Sequence, residues 1–193
     1  MLRKLYDWTM DQAERPYAIW VLAFVSFIES SVFPIPPDVL LIPMVLAAPH
    51  KAWRIALICT LASVAGGLAG YGLGALAFEG IGRPVLDFYG KMEAFAEFQE
   101  RFREWGAWIV FGAGVTPFPY KVITIASGTV QLDLVVFTVA SILARGLRFF
   151  LVAALLKYIG PPVRGFIEER LGLVFTVGLV LLFGGFLVAR YAV

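Results

Sequence analysis

The chain of 193 residues holds one cysteine and one histidine, and only 16% of its residues are charged. A lone thiol, Cys59, excludes an intrachain disulfide and suggests no thiolate metal site. His50 lies beside Lys51 and lacks a second histidine for a metal site, so interfacial placement is expected rather than catalysis. No G-x-S-x-G, no H-E-x-x-H and no Gly-rich loop closing on Lys-Ser or Lys-Thr occurs, so an enzyme is not expected, nor a cofactor, a metal or a catalytic residue. An excess of one charge is also missing. The 16 Lys and Arg against 14 Asp and Glu leave +2, and no basic run is interleaved with aromatics, which sets nucleic acid aside as a partner. The first 16 residues contain neither an apolar core nor a small-residue cleavage site, so no secretory signal is read there.

What the chain has in abundance is apolar surface. Sixty per cent of residues are hydrophobic, 19 are glycine, and the mean hydropathy is +0.83. A soluble domain carries about a quarter charged residues and does not gather its apolar residues into long uncharged blocks. The sequence therefore predicts an all-α, multi-pass membrane protein forming one membrane domain over 1–193.

The blocks are of two kinds. Residues 1–16 have an apolar face of Leu2, Leu5, Tyr6 and Ala13, as in an interfacial helix, with a solvated leader ending at Pro16 as the alternative. From 17 to 50 the apolar stretch carries only Glu29 and Asp38 and is cut by Pro34, Pro36 and Pro37. Its arms, 17–32 and 39–48, reach about 24 and about 15 Å as helices. The second is too short to cross roughly 30 Å of hydrocarbon, which predicts a re-entrant hairpin. Residues 55–78 are long enough to span, and Ala62, Gly66, Gly70 and Gly74 form a small-residue ridge expected to pack against another helix. An amphipathic connector is read over 80–105. A second Pro-broken hairpin follows, with arms 106–115 and 122–130 around Thr116, Pro117 and Pro119. The Thr116–Pro117 pair suggests the start of a short helix. Spans are expected over 134–156 and 171–190, separated by the Gly-Pro-Pro at 160–162.

Residues 33–39 and 116–122 share the pattern P-x-P-x-charge-Val, and a fainter match links 65–71 with 144–150. Two repeats, 17–79 and 106–158, each with a hairpin and one crossing, would be inverted relative to each other, a transporter signature.

Glu29, Asp38, Lys121, Arg145 and Arg148 lie at membrane depth, where an unpaired charge costs about 2.5 to 3.5 kcal/mol. Thr138, Ser141, Arg145 and Arg148 share one helical stripe, expected to face inward. Lys121, Arg145 and Arg148 together can hold a phosphate, while a buried carboxylate, Glu29 first, can carry a proton. Structural ion pairing is the competing reading. Asp133 is expected to cap a helix.

The motifs F-I-E-S-S-x-F-P-x-P-P-D at 27–38, G-G-L-A-G-Y-x-L-G at 66–74, T-P-x-P-Y-K at 116–121 with Gly128, and A-R-x-x-R-F at 144–149 together resemble the DedA superfamily, also called the SNARE-associated or VTT domain, and its small YqaA-like branch. The resemblance implies a polytopic inner-membrane protein with two re-entrant hairpins that moves a lipid such as undecaprenyl phosphate, or another lipid with a phospholipid headgroup, across the bilayer, often using the proton gradient. It also implies Glu29 and Asp38 as an acidic pair and Arg145 and Arg148 as an arginine pair. Lys121 stands where many members have arginine. A small-molecule or drug/proton antiporter and a non-transporting scaffold are the alternatives, and a homo-oligomer is left open.

Overall fold

The structure, a computed structural model, describes residues 17–32, 36–116 and 119–169, with side chains up to Gly160. The expected interfacial helix at 1–16, the span at 171–190 and the breaks at Pro34 and Pro117 lie outside the described residues. Every regular element among the described residues is helical: α1 (Ala18–Ser31), α2 (Asp38–Ala47), a 3-10 turn (Pro49–Lys51), α3 (Ala52–Ala77), a π-helical turn (Phe78–Gly82), α4 (Arg83–Phe88), α5 (Met92–Val115), α6 (Tyr120–Thr129) and α7 (Leu134–Glu169).

The prolines explain where the short helices begin and end. A proline lacks an N–H and pushes the residue before it out of the α region. α1 therefore stops just ahead of the 34–37 run, and α2 starts with Pro37 at its N-cap and Asp38 in its first turn, where a carboxylate suits the helix dipole. At the second break Thr116 adopts an extended conformation and serves as the C-cap of α5 (φ −78°, ψ 166°), and α6 begins only at Tyr120. The helix start read at Thr116–Pro117 is corrected accordingly: Thr116 closes α5, and the next helix among the described residues starts at Tyr120.

Two other boundaries differ from the reading of the sequence. The connector from Met92 on and the arm after it form one helix, because 92–115 contains no proline and the Gly106 at the boundary costs only about 1 kcal/mol, too little to break it. The Gly-Pro-Pro at 160–162 does not end α7. Proline's fixed φ is compatible with a helix, and the two prolines leave only the carbonyls of Lys157 and Tyr158 without their helical donors. Asp133 caps α7 as expected, its Oδ1 accepting from the Val135 and Val136 N–H groups at 2.9 Å each.

Among the described residues, two stretches are long and apolar enough to cross a membrane, Pro49–Gly80 (mean hydropathy 1.7) and Leu134–Gly160 (1.9). Large apolar side chains cover the outside while part of the interior is polar. Trp20 and Phe24 on α1, Leu57 and Leu61 on α3, and Val139, Leu143, Leu147 and Leu151 on α7 are exposed, whereas Ser26, Ser30, Ser63, Thr124, Ser127, Ser141 and Arg145 are buried. Lipid is the solvent that favours such an arrangement.

The small-residue ridge of α3 sets the packing. A Cβ on Gly66 would strike the backbone of Phe27 in α1, and one on Gly74 the backbone of Ile125 in α6. Gly70 lies between them, against Thr124 and the Ser30 carbonyl. α3 is thus the wall on which the first helix of one Pro-broken segment and the last helix of the other both lie.

Candidate functional site

Two apolar clusters are stacked along the bundle. One joins Leu22, Leu41, Val45, Ile55, Cys59 and Phe149, and the other joins Val110, Tyr120, Val130, Leu132, Phe137 and Ala140. On α7 the stretch from Ser141 to Arg148 separates them, and on α3 the stretch from Thr60 to Gly70 does the same. Four of the five charges singled out converge in that intervening layer.

Arg145 projects from α7 into it with 1% of its side chain exposed. Its Nη2 donates to Glu29 Oε2 on α1 at 2.8 Å, and its Nε donates to Ser63 Oγ on α3 at 2.6 Å. The guanidinium carbon lies 4.8 Å from the centre of the Tyr120 ring and 4.6 Å from that of Phe149, a cation–π arrangement that suits arginine's flat, weakly hydrated head. Nη1 is buried and has no hydrogen-bond partner among the described residues.

One helical turn further along α7, Arg148 Nη2 donates to Asp38 Oδ2 at the start of α2, 2.7 Å away, and Nη1 reaches the Thr116 carbonyl at 3.4 Å. This second pair is more open, with 23% of the Arg148 side chain and 20% of the Asp38 side chain exposed. The expected stripe on α7 faces inward at Ser141, Arg145 and Arg148. Thr138 is only half-buried, and its hydroxyl donates to its own helix at Leu134 O.

Lys121, in the first turn of α6, pairs with no carboxylate among the described side chains. Its Nζ donates to the Val32 carbonyl at 3.3 Å, and Thr124 Oγ1 donates to the Ser30 carbonyl at 3.0 Å. The end of α1 and the start of α6 therefore meet, with α6 supplying donors to the last carbonyls of α1, where a cation also suits the helix dipole. Pro36 and Pro37 stand just ahead of Asp38, and Pro119 just ahead of Tyr120 and Lys121.

Of the five charges singled out, four come together as two crossed pairs and the fifth sits where the start of α6 meets the end of α1. The residues that the sequence reading passed over are Ser30, Ser63, Tyr120 and Thr124, all fully buried in the same layer. Their signal was faint: Ser26 and Ser30 recur at i, i+4 on α1 and face Cys59 and Ser63, also at i, i+4, on α3.

The family model of the VTT domain matches residues 35–158. An uncharacterized protein of Haemophilus influenzae is 39% identical over 156 residues, covering 81% of each chain. An uncharacterized protein of Histophilus somni is 42% identical over 156 residues, again 81% of each chain. No solved structure matches.

Proposed function

The chain belongs to the VTT domain family of membrane-associated, DedA-type proteins, and from that premise we propose that it is a proton-coupled transporter moving an anionic lipid such as undecaprenyl phosphate across the bacterial inner membrane. The observation that carries the reading is the charge balance of the buried layer and of the α1–α6 junction beside it. Glu29 and Asp38 each have one arginine, while Lys121 has no carboxylate and Arg145 Nη1 has no acceptor among the described residues. A phosphate headgroup would provide both the missing negative charge and acceptors for these donors. α6 begins beside Lys121, and the positive end of its dipole favours the same ligand.

The crossed pairs offer a coupling mechanism. Protonating Asp38 would weaken its hold on Arg148 and release a cationic group to the headgroup, and protonating Glu29 would leave the Arg145 charge unbalanced while Ser63 still holds its Nε; binding of the anion would in turn favour protonation, since linkage is reciprocal. Residues 17–50 and 106–130 are read as re-entrant hairpins of two inverted repeats, the first arm of the second being the last turns of the longer α5. Helices α2 and α6, of ten residues each, reach only about 15 Å, and the contact of Lys121 and Thr124 with the end of α1 supports a shared site.

A scaffold reading draws on the short pair distances of 2.8 and 2.7 Å. Reconstitution separates the two. Labelled polyprenyl phosphate is followed between leaflets of proteoliposomes, with and without a pH gradient, for the wild type, Arg148→Ala and Glu29→Gln. The transport reading expects wild-type movement above empty liposomes, its loss in folded Arg148→Ala, and loss of the gradient effect in Glu29→Gln. Movement no faster than in empty liposomes would leave the scaffold reading ahead.

A further inference from the structure

Four side chains in the buried layer close a ring of hydrogen bonds. Arg145 Nη2 donates to Glu29 Oε2 at 2.8 Å, Arg145 Nε donates to Ser63 Oγ at 2.6 Å, the Ser63 and Ser30 hydroxyls lie 2.7 Å apart, and Ser30 Oγ donates to Glu29 Oε2 at 3.1 Å. The directions follow from the inventory of protons. Each serine has one O–H. That of Ser30 goes to the carboxylate, so Ser63, which accepts from Arg145, donates to Ser30. Every proton in the ring is used once, and both serines are fully buried.

The ring has a consequence for the guanidinium. Its Nε–Nη2 edge is committed to Ser63 and Glu29, so the arginine cannot turn that edge toward a ligand without breaking two charge-assisted bonds. Nη1, buried and unpartnered, is the nitrogen left over. The planes of Tyr120 and Phe149, at 4.8 and 4.6 Å, restrict tilting of the head.

We propose that Ser63 and Ser30 are positioning residues for the anion site: by holding the Nε–Nη2 edge of Arg145 they fix Nη1 as the donor presented to a phosphate headgroup. The proposal rests on the transport reading and deepens it. A guanidinium freed from Ser63 rotates among several orientations, only some of which present Nη1, so the headgroup affinity falls while the transport step, once the lipid is bound, is largely kept.

The test is the dependence of transbilayer movement on the concentration of labelled polyprenyl phosphate in phosphatidylcholine proteoliposomes, for the wild type, Ser63→Ala, Ser30→Ala and Ser31→Ala. Ser31 is the control: it is also buried, but its hydroxyl donates only to Phe27 O and Ile28 O of its own helix. Equal elution profiles and melting temperatures confirm comparable folding. The expected result is a KM raised about tenfold in Ser63→Ala, the size of one lost hydrogen bond to a charged group, with a smaller rise in Ser30→Ala, kcat within about twofold, and Ser31→Ala unchanged. Should Ser63→Ala misfold, Ser30→Ala alone decides, since it opens the same ring from the other side. A wild-type KM in the folded ring variants, or a fall in kcat at unchanged KM, overturns the positioning role while leaving the transport reading standing. A wild type that moves no lipid overturns both.

Discussion

Glu29→Gln should be the most damaging conservative change in the bundle, because of where the residue's partner lies. The amide keeps the shape and an acceptor oxygen but removes the one counter-charge that Arg145 has among the described residues, and the arginine side chain is 1% exposed. Breaking a buried pair from one side leaves an uncompensated charge and costs about 3 to 5 kcal/mol. For a chain of this size that corresponds to a fall in melting temperature of roughly 6 to 20 °C. Asp38→Asn makes the same chemical change in a pair whose arginine is 23% exposed, where water and headgroups screen the leftover charge, and should cost about 1 kcal/mol. The double variant Glu29→Gln with Arg145→Gln removes both charges together and should recover most of the stability lost in the single change, but no transport. Melting of the detergent-solubilised proteins, followed by intrinsic tryptophan fluorescence, gives the three shifts. The reasoning is refuted if Glu29→Gln melts within a few degrees of Asp38→Asn, or if the double variant is less stable than the single one.

Other outcomes follow from the same geometry. Gly66→Ala should abolish folding or lower the melting point steeply, since its Cβ would collide with the Phe27 backbone, whereas Gly72→Ala on the same helix meets open space and should gain up to about 1 kcal/mol from helix propensity; paired melting curves check the contrast. Asp133→Ala should cost about 1 kcal/mol through loss of the cap on α7, and Asp133→Ser should restore most of it, again read as melting temperature. Lys121→Gln should leave melting within about 1 kcal/mol of wild type, because the Val32 contact at 3.3 Å is long and exposed, while lowering polyprenyl phosphate movement severalfold; equal movement in the two proteins would remove Lys121 from the site.

The parts of this architecture written in local chemistry were legible before any coordinates. Prolines act on their immediate neighbours, so the ends of α1 and the start of α2 were placed within a residue or so, and the cap at Asp133 and the glycine ridge of α3 were recognised from spacing alone. Changes of composition proved to be poor boundaries. The passage from charged to apolar residues near Gly106 is a change of surroundings along one continuous α5, with nothing there to break a helix. Long-range pairing was out of reach for a different reason. Glu29 and Arg145 are 116 positions apart, and any of three cations could have neutralised either carboxylate. The serines were missed because a serine in an apolar helix has a local alternative, donating to its own preceding turn. Ser31 does so and Ser30 does not, although they are neighbours in sequence.

The central claim is that the crossed charges form a working site and are not merely structural. The most direct measurement is polyprenyl phosphate movement by the charge-swapped double variant Asp38→Arg with Arg148→Asp, beside its melting temperature. The swap keeps an ion pair at the more open position but moves the cation from α7 to the start of α2. The account predicts a folded protein with melting near that of the wild type and little or no lipid movement. Movement at the wild-type rate would show that the pair serves only to hold the helices together, and would contradict the account.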